Sequence, residues 1–117
     1  MLTKLFRLPL TYRFCVSKFA NETEYLEVAC SKISQLTSIT ENFEEKYDLD
    51  YTVTDQILRI NFSNHSIVIN TQTPNRQLWY SSTISGPQRF DYNDGKWVNK
   101  TGGVIDDILH NDLSHLA

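Results

Sequence analysis

The spacing of apolar residues changes twice along this chain, and that change limits the folds open to it more than any other feature. Between residues 25 and 43 they recur every three or four positions (Tyr25, Val28, Ala29, Ile33, Leu36, Ile39, Phe43), which is the pattern of a helix with one buried face. Asn21 followed by Glu24 has the spacing of a capping box and sets the start of that helix; the stripe runs out at about Glu45. From Tyr47 the period is two, with β-branched and aromatic residues between turn signals, and strands are predicted over 48–53, 56–62, 65–70, 76–82, 88–92 and 96–99. After Gly102 and Gly103, the residues Val104, Ile105, Ile108, Leu109 and Leu113 return to helical spacing.

Short connections, among them an Asn93-Asp94-Gly95 turn, imply an antiparallel meander. Each terminal helix must bury its one stripe, and a sheet between them offers one apolar face to receive both. The expected fold is α+β, a two-layer α/β sandwich with two terminal helices on one face of an antiparallel sheet of five or six strands. On the fourth strand Leu78 and Tyr80 then point to the helices, while Gln77, Trp79 and Ser81 point away. The same parity puts Val68, Asn70 and Arg89 beside Trp79 and leaves that tryptophan exposed. A large aromatic among amide, hydroxyl and guanidinium groups on an open face has the composition of a protein-binding hot spot.

At 117 residues the chain is one domain. Cys15 and Cys30 are too few and too close in sequence for a disulfide framework, and there is no CxxC pair for zinc or thiol chemistry. No run approaches the roughly 18 apolar residues of a membrane span, and a net charge of −3 argues against a general nucleic-acid binder.

That small net charge conceals a steep gradient. Residues 1–21 carry +4 from Lys4, Arg7, Arg13 and Lys18 with no acid; residues 22–50 carry −6; the remainder carries −1. The first block, hydrophobic, hydroxyl-bearing and basic, has the features of a mitochondrial transit segment over residues 1–20, leaving a folded domain at 21–117. Without that block the net charge is as much as −7. In the second block, Glu41, Glu44 and Glu45 fall within one helical turn, and Asp48 and Asp50 share a side at the entry to the first strand. Exposed carboxylates are hard oxygen ligands without a fixed cage, so a bound cation would be weakly held and hydrated. The same block serves equally as solvated surface or as a dock for a basic protein.

Conventional catalytic signatures are missing: there is no nucleophile elbow, phosphate loop or HExxH, and no catalytic residue is assigned. Asp106 and His110 share a face of the last helix, which reads as solvated surface; His65 reads as a strand-end residue, and Cys30 as a small buried thiol.

The run Val68 to Phe90, VINTQTPNRQLWYSSTISGPQRF, closely resembles the signature of the frataxin family, which includes mitochondrial frataxins and bacterial CyaY-like proteins. The likeness continues through Asp91, Tyr92 and GKWV at Gly95 to Val98, with YDLDY at Tyr47 and GGV at Gly102 in the expected order, and covers roughly residues 22–113. It implies an iron-binding acidic ridge and a largely non-catalytic role in iron–sulfur cluster assembly. By that role the protein docks on the complex of cysteine desulfurase and scaffold protein and promotes sulfur transfer. The alternative it carries is a ferroxidase or iron store that oxidises Fe2+ to Fe3+ at surface carboxylates. Family partner-contact positions correspond to Asn70, Gln77, Trp79 and Arg89, the set that strand parity places outward. Trp97 corresponds to a family tryptophan that supports the fold. Glu24, Glu27, Glu41, Glu45 and Asp48 match or neighbour acidic family positions; Glu44 and Asp50 join the metal set from charge and geometry.

Cys30, Ser31, Ser34 and Ser38 interrupt the ridge, so a reduced iron capacity is expected. The resemblance further implies a monomer that oligomerises with iron, residence in the mitochondrial matrix or a reduced mitochondrion-derived organelle, and no nucleic-acid or membrane partner. Relatives with a longer C-terminal tail cover the groove between the helices with it, so a chain ending at Ala117 is expected to be marginally stable.

Overall fold

The computed structural model describes residues 19–116; the expected transit segment lies outside them, apart from Phe19 and Ala20. Helix α1 (Glu22–Glu44) is followed by strands β1 (Asp50–Val53), β2 (Ile57–Phe62), β3 (His65–Gln72), β4 (Gln77–Ser82), β5 (Gly86–Asn93) and β6 (Lys96–Val98), then by helix α2 (Ile105–Leu113). Short 3-10 turns occupy Thr73–Asn75 and Ser114–Leu116. The six strands form one antiparallel sheet in the order β1-β2-β3-β4-β5-β6, so each strand pairs with its neighbour in sequence. Among the described residues no helix is long and apolar enough to cross a membrane.

Helix α1 begins where the capping signal places it. The Asn21 side chain accepts from the Glu24 amide at 2.9 Å, and Glu24 returns a bond to the amide of Ala20 at 2.7 Å, one residue earlier than in the usual reciprocal box. This ties down the chain that enters from Phe19, which is buried against Tyr25, Tyr92 and Trp97. The packed domain therefore includes Phe19, two residues before the cap. Trp97 is buried in the same aromatic group, as its fold-supporting reading requires.

Tyr25, Ala29, Ile33 and Leu36 of α1 and Ile105, Leu109 and Leu113 of α2 meet the inward residues of the sheet, Leu58, Ile60, Ile67, Ile69, Leu78, Tyr80 and Phe90. Each such buried side chain contributes roughly 1.5–3 kcal/mol relative to exposure. The helices are also joined by Lys32 and Asp106, whose ammonium lies 3.2 Å from both carboxylate oxygens. Asp106 is thus paired with Lys32, which corrects the reading of a solvated face shared with His110; that histidine packs edge-on against Phe43. Cys30 is half-buried at the margin of the stripe, less enclosed than expected, and partial desolvation raises its thiol pKa.

Strand limits differ from the periodicity in ways that follow from the backbone. The amides of Lys46 and Tyr47 both bond to the Phe43 carbonyl, so a turn intervenes and β1 starts at Asp50, two residues later than expected. At the other end of the sheet β5 begins at Gly86 and includes Pro87. The β5–β6 hairpin has the two-residue Asp94-Gly95 turn with φ of 51° and 78°, the left-handed conformation that matches strand twist. That turn makes Asn93 and Lys96 a hydrogen-bonded pair. By alternation, residues 87, 89, 91 and 93 direct their main-chain groups away from β4, and a proline at 87 removes no rung of the ladder.

Candidate functional site

The face of the sheet turned away from the helices carries an aligned row. Asn70 lies opposite Trp79 on β4, and Trp79 lies opposite Arg89 on β5. Three consecutive strands thus bring together residues 19 positions apart in sequence. Gln77 fixes the row: it accepts from Trp79 Nε1 at 2.8 Å, and its own amide donates to Asp91 at 3.0 Å. The Arg89 guanidinium stands over the Trp79 ring, 4.7 Å from its centroid, a cation–π arrangement worth about 0.5–1 kcal/mol at an exposed site. The Asn70 amide donates to the Thr71 carbonyl at 2.9 Å.

Trp79 therefore has the expected outward parity, but it is half-buried where exposure was expected. Arg89 above it and Gln77 beside it supply the cover, which restricts its rotamer. The row lines a cleft of about 970 Å³ that continues past Pro87 and Gln88 to Asn99, Lys100 and Thr101, between β6 and α2.

The carboxylates behave differently. Glu24 is engaged at the start of α1 and Glu27 is exposed one turn later. The 17 positions from Glu24 to Glu41 separate the two ends by about 25 Å at 1.5 Å per residue. Glu41, Glu44, Glu45 and Asp48 gather exposed at the far end, where the last helical turn holds no base. Asp50 pairs with Asn61 and alternates with inward Tyr51, so it faces the helix-free side of the edge strand, away from Glu41. The structure brings together four of the seven proposed ligands at most. Among the described residues no three His, Cys, Asp or Glu side chains converge on a metal-sized site.

Tyr51 connects the acidic end to the sheet. Its hydroxyl donates to Glu41 Oε2 at 2.6 Å, and this bond, reinforced by the charges of Glu41 and Glu44, pushes the phenol pKa up to about 12. Carboxylates at the negative end of a helix repel one another and the helix dipole. A cation arriving there relieves that repulsion while keeping most of its water.

Two supports of the site are absent from the sequence-level picture. The Tyr25 hydroxyl donates to the Gln77 carbonyl at 2.7 Å and accepts from the Gln72 amide at 2.9 Å, and burial raises its pKa. Asp112, buried on α2, accepts from Tyr80 OH and from Ser85 Oγ at 2.7 Å. Burial first, and then the bond to Asp112, raise the Tyr80 pKa strongly. Ser85 also accepts from Gln88, whose carbonyl accepts from Asn99 at 3.0 Å. The signal for Asp112 was its place on the apolar stripe of α2, three positions after Leu109.

A sequence profile described as a frataxin-like domain matches residues 18–117. The "Frataxin homolog, mitochondrial" of Drosophila melanogaster is 36% identical over 98 residues, 78% of this chain and 50% of its own length. The "Frataxin, mitochondrial" of Caenorhabditis elegans is 30% identical over 97% of this chain and 89% of its own length, and that of Dictyostelium discoideum is 44% identical over 54% and 35%. The chain thus spans half or less of the fruit-fly and slime-mould relatives.

Among solved structures, a yeast frataxin superposes with a TM-score of 0.67 at 28% identity, over 92% of this chain and 94% of the other. The frataxin of Psychromonas ingrahamii gives 0.63 at 30% identity, over 76% and 84%. A trimeric frataxin of Saccharomyces cerevisiae, described as complexed with ferrous iron, gives 0.59 at 27% identity, over 88% and 91%.

Proposed function

Because the chain belongs to the frataxin family, we propose that it is a mitochondrial iron-binding regulator of iron–sulfur cluster assembly. It docks on the cysteine desulfurase–scaffold complex through the helix-free face of the sheet and promotes sulfur transfer to the scaffold. The observation that carries this reading is the Asn70–Trp79–Arg89 row, aligned across three strands and left open by both helices. Gln77 and Arg89 hold Trp79 in one orientation, so little side-chain entropy remains to be lost on binding. A preorganised aromatic of this kind is the usual centre of a hot spot.

Iron is cargo in this scheme. It is held weakly by Glu41, Glu44, Glu45 and Asp48, with Glu24 and Glu27 as a separate group at the other end of α1. Mitochondrial residence is supported by the names of the relatives, iron binding by the ferrous-complexed neighbour, and self-association by its trimeric form.

The deciding experiment is reconstitution with desulfurase and scaffold. Trp79→Ala and Asn70→Ala, shown to be folded, should lose stimulation of desulfurase turnover, with at least one weakening binding by about 30-fold, the effect of a 2 kcal/mol hot spot. Undiminished stimulation by both variants would remove the assignment. The clustering of four exposed carboxylates at one helix end favours a second reading, ferroxidation with dioxygen as the electron acceptor. Replacement of Glu41, Glu44, Glu45 and Asp48 by amides should then abolish iron-dependent oxygen consumption; unchanged consumption removes it.

A further inference from the structure

The cleft over Trp79 does not stop at the sheet. β6 ends at Val98, and its pairing with β5 covers only Asp91 to Asn93. Continuing the alternation set by the Asp94-Gly95 turn, the next hydrogen-bonded pair would join Arg89 to Lys100. The chain leaves that lane instead. Asn99 folds it into a turn, its Oδ1 accepting from the amides of Thr101 and Gly103 at 3.1 and 2.8 Å and from the Thr101 hydroxyl at 2.9 Å. The Gly102 amide bonds back to the Asn99 carbonyl, and the Asn99 amide to the Gly103 carbonyl. By that alternation the main-chain N–H and C=O of Arg89 point away from β4 and beyond the last residue pair with β6, and among the described residues no loop backbone bonds to them.

The cleft is also cationic in an acidic protein. Its lining includes Arg89 and Lys100 against one acid, Asp91, and Asp91 already accepts from Gln77. Among the described residues the ion pair within 4 Å is Lys32 with Asp106, so neither Arg89 nor Lys100 has a carboxylate partner within the fold.

We propose that the Asn99–Gly103 turn and the open edge of β5 form a second half of the docking surface. This half takes an extended, carboxylate-bearing segment of the partner protein. The segment adds its main chain to Arg89 as a short strand, and its carboxylate lies between Arg89 and Lys100. Pro87, which offers no N–H, limits the addition to a single rung and keeps the edge from pairing promiscuously. This inference rests on the docking role proposed above.

The test uses the full chain and the reconstituted desulfurase–scaffold complex, comparing the parent with Trp79→Ala, Lys100→Glu and Lys100→Arg. Lys100 is exposed, so its variants keep the fold. Lys100→Glu should weaken binding about tenfold, an effect shrinking with added salt, and Lys100→Arg should bind within about twofold of the parent. Hydrogen exchange of the Arg89 amide should slow in the complex. If Trp79→Ala weakens binding while Lys100→Glu binds as the parent does, or if the Arg89 amide exchanges as fast bound as free, the second half of the surface is wrong and the first stands. If Trp79→Ala also binds like the parent, both fall.

Discussion

The hydroxyl of Tyr25, a core residue of α1, donates to the main-chain carbonyl of Gln77, a residue of the Trp79 row on the helix-free face, across 52 positions of sequence. The same hydroxyl accepts from the amide of Gln72, which stands opposite Gln77 where β3 and β4 diverge into the Thr73–Asn75 turn. One phenol thus closes the end of the ladder from the helix side, while the Gln77 side chain holds Trp79 and Asp91 on the other side.

Tyr25→Phe keeps the ring and removes this closure, stranding a partly buried amide and a carbonyl. A loss of about 1–3 kcal/mol in urea unfolding is expected, with faster hydrogen exchange at the Gln72 amide. Desulfurase stimulation should weaken as well, because Gln77 loses its anchor.

The two tryptophans should separate stability from binding. Trp97→Ala empties the centre of the aromatic cluster and should cost about 3–5 kcal/mol. Trp79→Ala, losing half-buried area and one cation–π contact, should cost about 1 kcal/mol or less in the same unfolding assay yet weaken docking by about 30-fold.

Tyr51 gives a pH signature. Its folded phenol holds the proton up to about 12, above the ordinary value near 10, so the folded state binds more protons between those limits. The stabilisation is complete below pH 10 and is lost as pH rises through 12. Absorbance titration at the phenolate band should show Glu41→Gln moving one tyrosine down toward its ordinary value, with no such movement in Glu24→Gln.

Asp112 should behave as a structural acceptor. Asp112→Ala strands the buried Tyr80 hydroxyl and releases that of exposed Ser85 to solvent, and should destabilise by about 1–3 kcal/mol. Asp112→Asn, which keeps a carbonyl oxygen for them, should cost less. Thermal unfolding of both variants checks the order.

Ferrous iron, titrated anaerobically, should move amide resonances in two separate groups, one at Glu41 to Asp48 and the other at Glu24 and Glu27. Asp50, on the opposite side of the edge strand, should stay still. Response at Asp50 together with Glu41 would show that β1 rearranges around the metal.

The architecture was legible because every element buries one face, and one-sided burial writes its period into the sequence: α1, the six strands and α2 all appear at the expected places. Strand parity likewise assigned Asn70, Trp79 and Arg89 to one side. What periodicity lacks is contact across the fold. It did not show that Arg89 covers Trp79, that Lys32 takes Asp106, or that Tyr25 reaches Gln77. These are meetings between elements far apart in sequence and leave no local trace. Asp50 was grouped with Glu41 from charge and from sharing a side with Asp48 at the strand entry, although the turn at residues 45–47 and the pleat of β1 separate them.

The uninterrupted strand order has a consequence in time. Since each strand pairs only with its neighbours in sequence, every hairpin of the sheet closes a small loop, a low contact-order arrangement of the kind that favours rapid folding. The helices, with Phe19 ahead of α1, bring distant parts of the chain together, α1 and α2 being joined at Lys32 and Asp106 over 74 positions. Breaking that pair should therefore raise the unfolding rate more than it lowers the folding rate, because the β3–β4–β5 hairpins that carry the Trp79 row rest on local pairings alone.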